Sequence, residues 1–451
     1  MVLQFGIGVW VSRRIKTESD YILAGRNLGY GLLTFSIFAT WFGAETIVGS
    51  AGRAYRDGVS FGSAEPFGYG LCLVLMGLVF AAPLWRRKLT TLADLFRERF
   101  SVGAERLAAV ILIPSSILWA AAQIRGFSYV LSSASDIDVE LAIGIAAGFT
   151  ILYATFGGLL VDAINDVMQG VILALGLLIL FVAVIVHAGG MGELGNVLAD
   201  PARVHAMPRG ENVMTLIERW AIPVGGSVIA TELVGRVIAA KSPTVARRSS
   251  LFAATLYIGI GLIPVTIGLL GPQLAPSLAD EEQLLPFLAR DILPVGFYAI
   301  FAGALIAAIL STVDSTLLVS SALLSHNLIV PVFRVSSERG KVLVARLGVM
   351  SFGIIAYLLA RHAEGVFTLV EQASAFGSAG TLVTVCFALW SSWGGARTAI
   401  ATLATGMIVY VTAYGAGAEL PFLLSLGASL ACYLVGGALE RHPTPAVSAG
   451  R

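Results

Sequence analysis

Charge is what this chain has least of: Asp, Glu, Lys and Arg make up 13% of its 451 residues, where an ordinary soluble domain carries roughly 25%. With 57% of residues hydrophobic and a mean hydropathy of +0.85, a water-soluble globular fold is excluded. Cysteine is scarce too. Cys72, Cys386 and Cys432 stand far apart inside apolar runs without CxxC spacing, so they read as buried single thiols and not as a redox or zinc motif. The five histidines, His187, His205, His326, His362 and His442, fall in or beside loops, none at ligand spacing from a carboxylate. That leaves no zinc centre and no histidine base. A formal net charge of +1 supplies no field to attract nucleic acid or an acidic partner. One G-x-S-x-G match, Gly58 to Gly62, follows a charged loop where the hydrolase motif needs a strand, so it reads as chance. No enzyme is expected, and the loops are too short to hold a fused kinase, nuclease or nucleotide-binding domain.

What fills the chain instead is long apolar runs, each close to the length of about 20 residues that spans a bilayer. They cover residues 2–12, 28–54, 60–85, 104–132, 138–160, 164–188, 214–238, 249–272, 293–324, 342–360, 365–391, 397–415 and 419–438. The fold class is therefore an all-α integral membrane protein with about 13 transmembrane helices. The first run is too short to cross ~30 Å of hydrocarbon at ~1.5 Å per residue, so its helix is expected to begin upstream of residue 1. Arg13, Arg14 and Lys16 follow this run instead of preceding it, which argues against a cleaved signal peptide.

Most of the 29 Lys and Arg fall in alternate loops. One set holds Arg13, Arg14, Lys16 and Arg26, then Arg86, Arg87, Lys88, Arg97, Arg99 and Arg106, then Arg236, Lys241, Arg247 and Arg248. The opposite loops carry acids such as Asp138, Glu140, Asp280, Glu281 and Glu282. Cytoplasmic loops retain positive charge, so the amino terminus is expected outside and the carboxy terminus in the cytoplasm of a multi-pass plasma-membrane protein.

Several ionisable residues then lie at membrane depth: Glu45, Glu65, Arg125, Glu232, Asp314 and Glu371, with Asp166 just inside a cytoplasmic end. Each costs about 2.5 to 3.5 kcal/mol on insertion scales and needs a cavity or a partner. Arg125 is placed to pair with Glu65 or Glu371. Helix-weakening residues cluster at Gly43 with Gly49 and at Pro223-Val224-Gly225-Gly226. Two interrupted helices five spans apart are the pattern of an inverted-repeat transporter.

Tyr21 to Arg26, Phe38 to Thr46, Asn165 to Gly170, Arg236 to Ser242 and Ala308 to Ser315, in this order and spacing, resemble the sodium:solute symporter family of proline, sugar, pantothenate and choline importers. The resemblance runs over nearly the whole chain. It implies a five-plus-five inverted repeat of the amino-acid transporter type: an extra helix at 1–13, core helices 1–5 at 28–188, core helices 6–10 at 214–391 and two further helices at 397–438. It also implies sodium as the co-transported ion, with no organic cofactor, no nucleic acid and no obligate protein partner.

Ala308, Ser311 and Thr312 stand at i, i+3 and i+4 of one helix, so two hydroxyls and a carbonyl share a face. Such hydroxyls can instead bond back to the carbonyl four residues earlier. The family match assigns this face to sodium, completed by the carbonyls of Ala39 and Phe42. It places Asp166, Asp314 and Ser315 on the ion's exit route or at a second sodium, with Asp314 standing where relatives have serine. A plainer role for Asp166 is to cap a helix beginning near Val167. For the solute, the resemblance implies Trp41, Glu45 and Thr46, Glu65 and Tyr69, Trp119 and Gln123, Thr231 and Glu232, and Gln372. Trp41 and Trp119 resemble aromatic positions of the choline-transporting branch, suited to an ammonium by cation–π attraction; Ala230 stands where that branch has a further tryptophan. The acids here outnumber Arg125, which favours amines, zwitterions or cations. The expected function is sodium-coupled import of a small organic solute, an amino acid or related amine, by alternating access. The alternatives are a proton-coupled symporter in which Asp314 or Asp166 titrates, or a sensor or structural protein that kept the fold and lost transport.

Overall fold

The computed structural model describes residues 17–440 apart from 136, 157 and 208–211. The run at 2–12, with Arg13, Arg14 and Lys16, lies outside the described residues. Each of the other twelve runs is a helix or a consecutive helix pair. Ten helices are long and apolar enough to cross a membrane, eleven with one bent pair, and Val139–Leu152 is a shorter apolar helix. Among the described residues there are no strands, only isolated bridges pairing Leu28 with Ala240 and Val59 with Val204.

We number the helices that position the site α1 (Tyr30–Trp41), α2 (Ser50–Asp57), α3 (Phe67–Leu75), α4 (Val102–Ser135), α5 (Val139–Phe156), α6 (Leu159–His187), α7 (Val213–Ala221), α8 (Thr231–Ile238) and α9 (Pro243–Leu274). They continue with α10 (Val295–Ala322), α11 (Glu338–His362), α12 (Val366–Ala375), α13 (Ser378–Trp390), α14 (Ala396–Gly415) and α15 (Pro421–Leu439). α10 is the hub. It packs against α4, α6 and α11, while α1 packs on α6 and α9, and α12 on α4. Helices α14 and α15 pair with each other and with α13 at the periphery. Leu175, Leu178 and Val182 on α6, and Leu347, Ile354 and Leu358 on α11, are exposed. Such apolar stripes are what a lipid-facing helix presents, since hydrocarbon solvates them.

Two interruptions open the bundle's backbone. The first bends α1 from the helix that follows by 56°. Phe42 leaves helical geometry at φ −92°, ψ 63°, and a π turn at Glu45–Gly49 resumes the path into α2. Gly43 is required here because a Cβ would lie 2.6 Å from both Gln123 Oε1 and Glu45 Oε2. The Ala44 N–H freed by the break donates to Gln123 Oε1 at 2.7 Å, so this buried backbone group is not orphaned.

The second interruption falls later than Pro223–Gly226 suggested. Those residues carry a π turn, Ile222–Gly226, and the chain leaves the helix only at 227–230 before α8 begins at Thr231. Proline lacks the N–H that a regular turn needs, and the wider π turn absorbs this without ending the helix. Gly226 has a packing role instead: a Cβ there would lie 2.3 Å from the Ser374 carbonyl of α12.

Candidate ion and solute site

Three residues spaced along one face of α4, Ser116, Trp119 and Gln123, meet both interruptions. Ser116 shares a 3.1 Å hydrogen bond with Thr231 at the start of α8. One turn on, the Trp119 ring lies 5.4 Å from Trp41 and 6.3 Å from Tyr69 of α3, centroid to centroid. A further turn along, Gln123 accepts from Ala44 and its Nε2 donates to Glu45 Oε2 at 2.8 Å. The Thr46 hydroxyl donates to Glu65 Oε1 at 3.0 Å, and Tyr257 OH donates to the same oxygen at 2.7 Å. Tyr69 OH is 2.9 Å from Ser374 Oγ. Trp41, Glu45, Thr46, Glu65, Tyr69, Trp119, Gln123, Thr231 and Glu232 are all buried and, with Thr46 also reaching the Trp41 carbonyl at 3.4 Å and Thr231 donating to Glu232 at 3.3 Å, belong to one linked group. Gln372 does not. Its amide donates to Tyr414 OH of α14 at 2.7 Å, and Ser374, two residues on, is the α12 side chain that joins the group.

Cavities flank this group. One of about 430 Å³ is lined by Arg53, Arg56, Glu281, Glu364, Phe367 and Glu371. A smaller one shares Arg53, Phe367 and Glu371 with it and reaches Glu65. A third, of about 20 Å³, is lined by Thr231, Glu232, Gly235 and Arg236. Glu65 and Glu232 therefore border different cavities. Arg125, expected to pair with Glu65 or Glu371, donates instead to Tyr129 OH and to the carbonyls of Ala360 and Glu364, because its long side chain crosses to the carbonyl end of α11. Between α12 and the loop before α10, Glu282 accepts from the amides of Val366 at 2.8 Å and Phe367 at 3.0 Å. Burial pushes its carboxyl above the usual carboxylate range.

Thr312 of α10 lies 3.4 Å from the Ala39 carbonyl and 3.3 Å from the Ala308 carbonyl. The back-bond and the contact across to α1 are thus both present. Phe42 ends α1 one turn beyond Ala39. The Ser311 hydroxyl points instead to Asp166, with which it forms a very short hydrogen bond. Asp166 does not cap a helix, since α6 begins at Leu159 behind Gly158.

Around Asp166 is a cluster the sequence did not reveal. Arg236, grouped above with loop cations, is 1% exposed. It donates to Asp162 at 2.6 Å, Ser315 at 2.6 Å, Ser36 at 2.9 Å and Asp166 at 3.4 Å. Ser36 donates to Asp166 at 2.6 Å, and Ser315 to Asp162 at 2.6 Å. Asp162 precedes Asp166 by four residues, hence by one turn on the same face, and that spacing was the available signal. Asp314 makes none of these bonds, and both its carboxylate oxygens are buried and unpartnered.

The model of the sodium:solute symporter family matches residues 21–406. The chain is 28% identical over 393 residues to the high-affinity choline transporter 1 of Drosophila melanogaster, covering 82% of this chain and 62% of that one. It is 27% identical over 342 residues to the sodium/pantothenate symporter of Escherichia coli (strain K12), covering 73% and 70%. It thus spans about three fifths of the length of the choline transporter it matches. A solved Na+-coupled sialic acid symporter, in a substrate-bound outward-open state, superposes with a TM-score of 0.81 at 19% identity over 97% of this chain and 95% of that one, a likeness of fold.

Proposed function

Because this chain belongs to the sodium:solute symporter family, we propose that it couples sodium entry to the import of a small organic solute, an amino acid or related amine, by alternating access across the plasma membrane. The observation that carries the reading is the meeting of Thr312 with the Ala39 carbonyl beside the interruption of α1. Irregular backbone at membrane depth is tolerated where it lines a cavity or coordinates an ion. The proposed sodium ligands are the carbonyls of Ala39, Phe42 and Ala308 with the hydroxyls of Ser311 and Thr312. Asp166, Asp314 and Ser315 lie on the proposed exit route. The repeats run over 28–188 and 214–391, with the amino terminus outside and the carboxy terminus in the cytoplasm.

For the solute, the choline and pantothenate relatives bracket a cation and an acid; Glu45, Glu65 and Glu232 beside Trp41 and Trp119 favour the amine. Ser311→Ala and Thr312→Ala each remove one sodium oxygen, so each raises the sodium concentration for half-maximal uptake in proteoliposomes while the protein still folds and inserts. Unchanged sodium dependence in both variants defeats the assignment. A second reading, proton coupling, is favoured by the unpartnered Asp314 carboxylate and by the Ser311 hydroxyl being held by Asp166. Uptake driven by a pH gradient in sodium-free buffer, and lost in Asp314→Asn, would establish it.

A further inference from the structure

The solute pocket contains polar atoms that the fold alone leaves unpaired, two acceptors and two donors. Glu65 Oε2 and Glu232 Oε1 accept nothing, and the indole N–H groups of Trp41 and Trp119 donate to nothing. All four side chains are at least nine-tenths buried, with exposures of 8%, 3%, 1% and 2% in that order. Most buried polar groups in folded proteins are paired, so such a set calls for a cause. Carelessness with carboxylates is not the habit of this fold: Glu218 takes the amides of Phe422 and Leu423, and Glu282 those of Val366 and Phe367. Among the described carboxylates, only Asp314, beside the arginine cluster, also has buried unpaired oxygens.

In both pocket glutamates one oxygen is anchored. Glu65 Oε1 is held by Thr46 and Tyr257, and Glu232 Oε2 accepts from Thr231 at 3.3 Å. The second oxygen is left over in each case. The two acids border different cavities, and the rings of Trp41, Trp119 and Tyr69 are linked to one another.

Resting on the pocket proposed above, we infer that the solute is a small molecule whose protonated amine still bears N–H and which also carries an oxygen acceptor, as an amino acid or amino alcohol does. Its N–H groups meet Glu65 on binding and Glu232 on the way through. Its oxygen receives an indole N–H. A quaternary ammonium is attracted to ring faces by its charge but has no proton for either glutamate, and a site built to hydrogen-bond an N–H rejects the analogue that lacks it.

The test is sodium-dependent binding, read by thermal shift and intrinsic tryptophan fluorescence on the purified full chain, of two methylation series: ethanolamine through N-methyl- and N,N-dimethylethanolamine to choline, and glycine through sarcosine and dimethylglycine to glycine betaine. In at least one series, members with N–H should bind and the fully methylated member should bind about tenfold more weakly or worse. Glu65→Gln or Glu232→Gln should shrink that ratio, and the wild-type series decides the question alone if a variant does not fold. A fully methylated member that binds as tightly as its N–H parent overturns the inference and leaves the cationic pocket standing. Sodium-dependent binding by no member of either series overturns the pocket reading, and the inference with it.

Discussion

The arginine-centred cluster and the aromatic group lie at neighbouring levels of the same bundle, yet they handle buried polarity in opposite ways. Around Arg236, the side chains of Ser36, Asp162, Asp166 and Ser315 satisfy one another within the protein, with Asp314 outside their network. Around Trp41 and Trp119, four polar atoms have no partner. A closed network fixes where helices stand. An open one has capacity for something that comes and goes, and binding has more to gain where groups are already desolvated.

The largest expected effect breaks the closed side. Arg236→Ala leaves Asp162 and Asp166 buried with no cation, a change that costs about 3 to 5 kcal/mol when one partner of a buried pair is removed. The melting temperature and the yield of folded protein should fall sharply, and removing both carboxylates as well should restore part of the loss. Normal folding of Arg236→Ala with only solute affinity lowered would erase the contrast.

Next comes the open side. Trp41→Ala should cost stability, since the ring it removes is buried, and among folded molecules it should weaken a cationic solute by about 0.5 to 2 kcal/mol of cation–π attraction, plus lost packing, read by calorimetric titration in sodium. Sodium binding without solute should hardly change. Solute affinity equal to wild type would remove the indole from the pocket.

The smallest effect sharpens the comparison at a carboxylate outside the spans. Burial raises the Glu282 carboxyl, so the folded chain holds that proton more tightly than the unfolded chain does. Stability is therefore lost as pH rises from the unfolded value of about 4.3 through the higher folded one. Glu282→Gln keeps an acceptor for one of the two α12 amides and cannot titrate, so its melting temperature should depend less steeply on pH across that window. An identical slope in both proteins would show that Glu282 does not titrate differently on folding.

Much of the helical framework was legible because hydropathy in long runs answers directly to bilayer thickness. The first interruption was legible too, because Gly43 sits where a Cβ would strike Gln123 and Glu45. The second was displaced by about a turn, since proline and two glycines can be taken up by a π turn and composition does not say which outcome follows. Arg236 was hidden for a different reason: a cation near Lys241 and Arg247 reads as a loop residue until the fold brings Asp162 and Ser315 to it. Gln372 was carried into the pocket by resemblance, while its rotamer takes it to Tyr414. Position along a helix is written locally, and partnership across helices is not.

The Gln123 side chain bears on how fast the site can work. One amide holds the Ala44 N–H with its oxygen and the Glu45 carboxylate with its nitrogen, so rewinding the interruption would draw the Ala44 N–H back into the helix and leave the buried Gln123 Oε1 without a donor. No helical turn has to melt before a ligand arrives, and the entropy of opening the backbone is spent once, at folding. Association at this site should accordingly be a single concentration-dependent step, without the slow, steeply temperature-dependent lag of a segment that must first come undone.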